Sequence, residues 1–154
     1  MTPGRRTLRY NSLDDIMPDV ERLLAGYKTV GNWSVGQMCR HLATVLRRSV
    51  DQPAPTERDL SKYASAEQKR ELFESGVIEE GRPMPAGREV PGSLDDREEA
   101  DGLRDAISHY AASPGPAMDH PRLGPLSRAE WDRFHCIHSA HHFSFAIPVE
   151  RYGK

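Results

Sequence analysis

Four of the seven histidines lie within eight residues near the C-terminal end of the chain: His135, His138, His141 and His142. A helix over this segment would place their imidazoles on one face, together with the large aromatic side chains. A soluble helix buries such a face, and each imidazole buried without a hydrogen-bond partner would cost roughly 1–3 kcal/mol. A divalent metal ion is the simplest compensation, and a purely structural hydrogen-bond network is the alternative.

The spacing of these histidines suits a metal site. His138 and His142 are four residues apart, so on a helix their side chains lie side by side, about 5–6 Å apart at Cβ. His138 and His141, three residues apart, form the competing pair. A third ligand must come from another element, and His41 is the other histidine near the apolar face of a predicted core helix. Three histidines with an open position are typical of catalytic sites, where the ion lowers the pKa of a bound water or thiol.

Two polar side chains beside His41 could support a metal ligand or a bound water through hydrogen bonds. Gln37 lies one turn before His41 on the predicted helix, and Thr44 lies one turn after it. Gln37 also fits as the capping-box partner of Ser34, so a purely structural role stays open for it.

No residue stands out as a general base. Four residues are candidates for proton transfer: Glu79, Glu80, His120 and His135. His141 is a further titratable residue that could belong to the pocket, as could His120 and His135. A solvated loop is the simpler interpretation for the two glutamates, and the roles of the three histidines stay open.

Helical patterns cover most of the chain and must position these residues. Apolar residues over 13–27 follow the i, i+3, i+4, i+7 spacing of a first helix. Ser12 and Asp15 form a capping-box signal at its start, and Gly26 is placed to end it. Pro18 must lie in the first turn of this helix or bend it.

Capping signals also mark the helices that carry the histidines. The second helix begins at Ser34, with Gln37 as capping-box partner, and runs to about Val50. Ser127 with Glu130 begins the last helix in the same way. Two further helices are expected, a short one from Ser65 to Ser75 and a longer one from about Asp95 to Ala112 with His109 exposed. The expected connections are a loop over 51–64, a Pro/Gly-rich loop from Gly81 to Gly92 and a segment from Ser113 to Pro125. The last helix should end near Ala146, before Pro148.

The predicted fold class is all-α. Four long amphipathic helices without a convincing strand pattern predict a four-helix bundle with long loops between the helices. The chain of 154 residues has the size of one domain, which we expect to cover residues 1–154.

The amino-acid composition argues against several classes of function. With 21 basic and 23 acidic residues, no electrostatic argument supports binding to nucleic acid or to an anionic membrane. No apolar run approaches the roughly 18 residues of a membrane span, and the N-terminal segment lacks a secretory signal. Cys39 and Cys136 suit a reducing compartment. We therefore expect a cytoplasmic protein that acts on a small molecule. A monomer and a homodimer both stay open.

Three motifs carry a resemblance to a known family. The run GNWSVGQMCRHL over 31–42 resembles the second-helix signature of the DinB-like superfamily of metal-binding four-helix bundles. The runs HPRLGPLSRAEW over 120–131 and HCIHSAHHF over 135–143 are similar to a branch of that superfamily with no assigned activity. The similarity extends from about Arg5 to Ile147.

The resemblance implies a divalent metal ion, often nickel or zinc, bound by one histidine of the second helix and an HxxxH pair of the last. Matched by position, these ligands are His41, His138 and His142. Some relatives are thiol S-transferases that use a low-molecular-weight thiol. The leading hypothesis is therefore a metal-dependent thiol S-transferase or hydrolase. The competing hypothesis is a non-catalytic helical bundle, such as a stress-response or binding protein, in which the metal or a histidine network is structural.

Overall fold

A computed structural model of the chain describes residues 2–81, 89–115 and 117–149. Within these ranges the fold is mostly helical, which confirms the coarse form of the fold prediction. The helices and strands, in chain order, are α1 (Ile16–Leu24), β1 (Tyr27–Thr29), α2 (Val35–Asp51), α3 (Ala66–Ser75), α4 (Asp96–Ala112), α5 (Arg128–Phe143) and β2 (Ala146–Pro148). No helix in the described ranges combines the length and the apolar character that crossing a membrane requires.

Serine capping boxes begin the two helices that carry the candidate metal ligands. The backbone N–H of Gln37 donates to Ser34 Oγ at 3.2 Å, and Gln37 Oε1 accepts from the Ser34 N–H at 2.9 Å. Ser127 and Glu130 form the same reciprocal pair at the start of α5. These bonds satisfy N–H groups that a helix N-terminus leaves unpaired, and they confirm both expected helix starts.

The first helix tolerates its proline because of where it lies. Pro18 is the third residue of α1, in the first turn, where a backbone N–H has no helical acceptor to lose. The preceding residues, Leu13–Asp15, form a 3-10 turn, so α1 begins at Ile16, later than the apolar pattern suggested. Gly26 follows the helix with a φ of 151°, a value that favours glycine.

A short antiparallel sheet corrects the expectation of a chain without strands. β1 pairs with β2, with Tyr27 opposite Pro148 and Thr29 opposite Ala146. The last helix therefore ends at Phe143 and not near Ala146. Strands of three residues are too short to show the alternation by which a strand is recognised in a sequence, so this pairing was missed.

Close contact with α4 holds the start of α2. The Gly36 N–H donates to Asp96 Oδ1 at 2.8 Å, and Asp96 Oδ2 accepts from the Tyr27 hydroxyl at 2.8 Å. A Cβ at Gly36 would lie only 2.9 Å from Asp96 Oδ1, so a larger residue would push the helices apart. This anchor holds the stretch of α2 that carries His41 against the core.

The core forms between α1, α2, α4 and α5. The aromatic face of α5 is buried, with Trp131 1% and Phe143 0% exposed. His109 lies on α4 outside this core, where its Nε2 is 2.6 Å from Asp51 Oδ1. Of the expected loops, 51–64 contains one 3-10 turn, Leu60–Lys62. Most of the Gly81–Gly92 loop, residues 82–88, lies outside the described residues.

Candidate metal centre

Helices α2 and α5 bring His41, His138 and His142 together. The Nε2 atom of His138 lies 3.1 Å from Nε2 of His41 and 3.1 Å from Nε2 of His142. One ring nitrogen from each of the three side chains lies within 4.8 Å of the other two. A group of imidazole nitrogens this close together could hold one metal ion.

Aromatic rings surround the three imidazoles and limit their rotation. Trp33 stacks on His142, with ring centroids 5.3 Å apart and planes inclined by 21°. The same indole packs at 5.3 Å against His41. On the other side, Phe134 packs at 5.2 Å against His138. The imidazoles are therefore held in place before any ligand binds.

The three imidazoles are neutral at pH 7, as metal ligands must be. Burial, with a smaller contribution from the charge of Arg48, lowers the pKa of His41 from 6.5 to about 4. Burial also lowers the pKa of His138 and His142 well below 6.5, and the neighbouring imidazoles add to the effect. A divalent ion would therefore bind without first having to remove the second proton of a charged imidazolium.

The separations of the nitrogens fit a metal ion. Ligand atoms placed tetrahedrally at about 2.0–2.1 Å from zinc lie about 3.3–3.4 Å apart, close to the two separations of 3.1 Å that His138 Nε2 makes. The other ring nitrogen of His138, Nδ1, is buried and has no hydrogen-bond partner among the described residues. Leaving it unpaired costs about 1–3 kcal/mol, which a metal bond at Nε2 would offset.

The candidate ligands lie on the wall of a cavity of about 780 Å³. Trp33, Met38 and Phe145 give part of this cavity an apolar lining, while Glu79 and Glu80 line it with carboxylates. His141 lines the same cavity beside His142, with ring centroids 4.9 Å apart. The site is thus open to a bound molecule of moderate size.

A hydrogen-bond network from the N-terminal segment holds the edge of the cavity. Arg5 Nη1 donates to Glu80 Oε2 at 2.8 Å, and Arg5 Nη2 lies 2.9 Å from His141 Nδ1. The Thr2 hydroxyl donates to Glu80 Oε1 at 2.6 Å. Bonds from Thr2 and Arg5 lower the pKa of Glu80 to about 2. Glu80 is therefore a fixed carboxylate and a poor general base near neutral pH.

Gln37 and Thr44 do not reach the three histidines. Gln37 is the capping partner of Ser34, and its amide nitrogen donates to the Pro91 carbonyl at 3.0 Å. The Thr44 hydroxyl donates to the carbonyl of Arg40 on its own helix at 2.9 Å. Both side chains serve local structure, so the structural alternative for Gln37 describes what is observed.

His135 and His120 are not among the residues that line the cavity. His135 is 2% exposed, and its Nε2 lies 3.1 Å from Ser49 Oγ. His120 Nδ1 accepts the backbone N–H groups of Arg122 and Leu123, each at 3.0 Å, and so closes a turn. Burial lowers the pKa of His135 to about 3 and that of His120 to about 4. Both are neutral, hydrogen-bonded structural histidines.

Sequence reasoning did not single out Trp33 or Arg5. Trp33 directly precedes Ser34, the residue that caps α2. An aromatic residue eight positions before His41, about two helical turns away, was an available signal. Nothing in the local sequence around Arg5 indicates its contact with His141, which lies 136 residues later.

Neither cysteine takes part in the site. Cys39 and Cys136 are buried and are not among the residues that line the cavity. Burial raises the pKa of Cys39 to about 12 and that of Cys136 to about 11. Their thiols are therefore not nucleophiles near neutral pH.

Comparison with known proteins places the histidine site within a family. The match spans residues 3–149, which includes all the helices and the three imidazoles. The chain belongs to the DUF1569 family. The description of DUF1569 is a protein of unknown function. No curated protein and no solved structure matched the chain. The description of DUF1569 names no activity for the site.

Proposed function

We propose that this DUF1569 protein binds one divalent metal ion through His41, His138 and His142 and uses it to act on a small molecule. The reaction class we propose is thiol S-transfer or hydrolysis. The observation that carries the proposal is that these three imidazoles form part of the wall of a cavity of about 780 Å³. A site that served only to brace the fold would have no need of such a cavity.

The donor set supports an open coordination position. Among the described residues, the group that could hold a metal contains these three histidines and no fourth histidine, cysteine or carboxylate. Structural zinc sites have four protein ligands, whereas catalytic sites have three and leave one position to water or substrate. The three-histidine set is therefore of the catalytic kind.

The chemistry divides between the ion and the chain. A divalent ion held here would lower the pKa of a water or thiol in its open position. His41, His138 and His142 would bind the ion, and Trp33 and Phe145 would exclude water from the cavity. Because both cysteines are buried away from the cavity, a reacting thiol would come from a low-molecular-weight cosubstrate.

Nickel and zinc are the ions that we propose. Imidazole ligands suit zinc, copper, iron and nickel, and the absence of a thiolate ligand among the described residues gives no preference for softer ions. The choice of nickel or zinc follows from the resemblance to the DinB-like superfamily, which is part of the proposal. In that relationship α1, α2, α4 and α5 would be the helices of a four-helix bundle, and α3 would be an addition.

A non-catalytic role is the competing proposal, and one observation favours it. The two nitrogen–nitrogen separations of 3.1 Å are also hydrogen-bond distances, so a metal-free histidine network could join α2 to α5. In that case the imidazoles would form hydrogen bonds with one another, and the fold would need no ion.

Metal analysis distinguishes the two proposals. The protein is purified without a tag or a nickel column, and its metal content is measured directly and after titration with zinc or nickel. We expect uptake of one ion, lost in His138→Ala and His142→Ala and retained in His109→Ala, a matched change of a partly exposed histidine outside the site. Less than about a tenth of an equivalent with no uptake on titration would favour the hydrogen-bond network.

Cobalt substitution then tests for the open position. Cobalt(II) bound by three histidines absorbs visible light, and the spectrum changes when a ligand enters the coordination shell. We expect a small thiol such as dithiothreitol to add a thiolate-to-cobalt band. A spectrum that does not respond to thiol, azide or acetate would indicate a closed shell and a structural metal.

A further inference from the structure

Arg5 determines which ring nitrogen of His141 carries the proton. Arg5 Nη2 lies 2.9 Å from His141 Nδ1. A guanidinium group only donates hydrogen bonds and stays charged in proteins, so Nδ1 must be the acceptor. A neutral His141 ring therefore has its proton on Nε2.

Arg5 is itself held on several sides. Its Nε donates to Ser144 Oγ at 2.6 Å, and its Nη1 donates to Glu80 Oε2 at 2.8 Å. The guanidinium also lies 4.4 Å from the centre of the Phe145 ring. Charge-assisted bonds and a stacked ring leave the group little freedom to turn away from His141. The tautomer of His141 is thus built into the fold.

The position of His141 gives this tautomer a use. The ring lines the cavity next to His142, and its Nε2 has no hydrogen-bond partner among the described residues. His141 is also not one of the three residues whose nitrogens group as metal ligands. A donor N–H therefore lies beside the candidate metal centre without an acceptor from the described part of the chain.

We propose that His141 binds the ligand of the metal centre by donating a hydrogen bond from Nε2–H, with Arg5 as its positioning residue. This rests on the proposed function, since the acceptor is the molecule bound beside the ion. The ligand class is a small anion with an accepting oxygen, such as a carboxylate. Three neutral imidazoles bring no negative charge to a divalent ion, and no carboxylate groups with them as a ligand among the described residues, so a small anion is the favoured occupant beside the ion.

The tautomer is tested by NMR on protein with ¹⁵N-labelled histidine, both metal-free and loaded with zinc. We expect the His141 signals, assigned by their loss in His141→Gln, to show a proton on Nε2 and a free lone pair on Nδ1. Arg5→Lys should preserve this pattern because lysine also only donates, whereas Arg5→Met should allow exchange between tautomers. Arg9→Met, which removes an exposed arginine of the same segment that bonds to Asn11, is the matched control and should leave the pattern unchanged. A proton on Nδ1 in the wild-type protein would overturn the proposal.

Ligand binding is tested with acetate on the cobalt-loaded protein, followed by visible absorption. His141→Phe keeps a flat ring but removes the donor, and should weaken acetate binding about ten-fold, the value of one hydrogen bond to a charged group. His141→Gln restores an N–H donor and should recover part of the affinity. Unchanged acetate affinity in His141→Phe, or loss of the metal in that variant, would contradict the role.

Failure of the proposed function gives a different result. If the wild-type protein takes up no metal, both the proposed metal centre and the proposed binding of acetate beside it are wrong. The NMR spectrum of the metal-free protein still decides whether Arg5 sets the tautomer of His141. If the metal binds and the affinity for acetate is the same in His141→Phe as in the wild-type protein, the proposed metal centre is supported and the proposed role of His141 is wrong.

Discussion

The Nε2 atoms of His41 and His138 lie 3.1 Å apart, although 97 positions separate the two residues in the chain. His138 Nε2 is equally close to His142 Nε2, so a single nitrogen lies between two others. In either neutral tautomer, the buried Nδ1 of His138 lacks a partner among the described residues. His138 is thus the candidate ligand that lies within hydrogen-bond distance of both of the others.

Replacing His138 with alanine should abolish metal binding but leave the protein folded. The variant loses the nitrogen closest to both other candidate ligands, yet it also loses a buried polar atom without a partner. We expect the free energy of unfolding to fall by a few kcal/mol at most. Circular dichroism and thermal melting measure this, with His109→Ala as the control. A variant unfolded at room temperature would show that the metal is needed for folding, and would weaken the catalytic proposal.

Acid should destabilise the metal-free protein over a defined range. Burial lowers the pKa of His41, His120 and His141 to about 4 and that of His135 to about 3 in the folded state, from 6.5. Below pH 6.5 these histidines bind protons in the unfolded chain but not in the folded chain. The free energy of unfolding therefore decreases as the pH decreases, until the pH reaches the folded-state pKa. Above 6.5 these groups contribute nothing. Each histidine adds about 1.4 kcal/mol per pH unit to the slope.

His135→Gln provides the test, because the effect of carboxylates cancels between variant and parent. Denaturant unfolding at several pH values between about 4.5 and 6.5 should give a slope smaller by about one proton in the variant. Bound zinc should raise the melting temperature and delay acid unfolding, and a chelator should reverse this. Equal slopes in parent and variant would contradict a neutral, buried His135, and identical melting curves with and without chelator would contradict metal binding.

Trp33 should report on metal binding. Its indole stacks on His142 and packs against His41, so a paramagnetic ion such as nickel held by these rings should quench its fluorescence. The chain has two tryptophans, and Trp131 packs against His120 and His135 instead. In Trp33→Phe the remaining emission should show much weaker quenching by nickel, while metal content stays the same. Equal quenching in the variant would place the ion elsewhere.

Ser49→Ala should destabilise the fold without affecting metal binding. The Ser49 hydroxyl donates to the Leu46 carbonyl at 2.7 Å, so its oxygen accepts the Nε2–H of His135 at 3.1 Å. Alanine would leave that buried N–H unpaired, at a cost of about 1–3 kcal/mol. Ser113→Ala, which removes a hydroxyl from a partly exposed helix end, should cost less. Loss of metal in Ser49→Ala would connect His135 to the metal centre and contradict its structural role.

Local rules account for the parts of the structure that could be predicted. The Ser34–Gln37 and Ser127–Glu130 boxes begin α2 and α5 where the sequence indicates, because a cap and its partner lie within one turn. The four-residue spacing of His138 and His142 likewise allows them to share an ion, as does the three-residue spacing of His138 and His141. The predicted end of the last helix near Ala146 was wrong, because residues 146–148 pair with residues 27–29, and that pairing depends on contact between distant segments.

Spacing along one helix determined that His138 could share an ion with a neighbour, but it could not choose between His141 and His142. In the tertiary structure His142, and not His141, groups with His41 and His138. Arg5 takes Nδ1 of His141, and the packing of α2 against α5 brings His41 to His138 and His142. The reason is physical: helix geometry fixes the distance between residues three or four apart. How distant helices and the N-terminal segment meet depends on packing of the whole core.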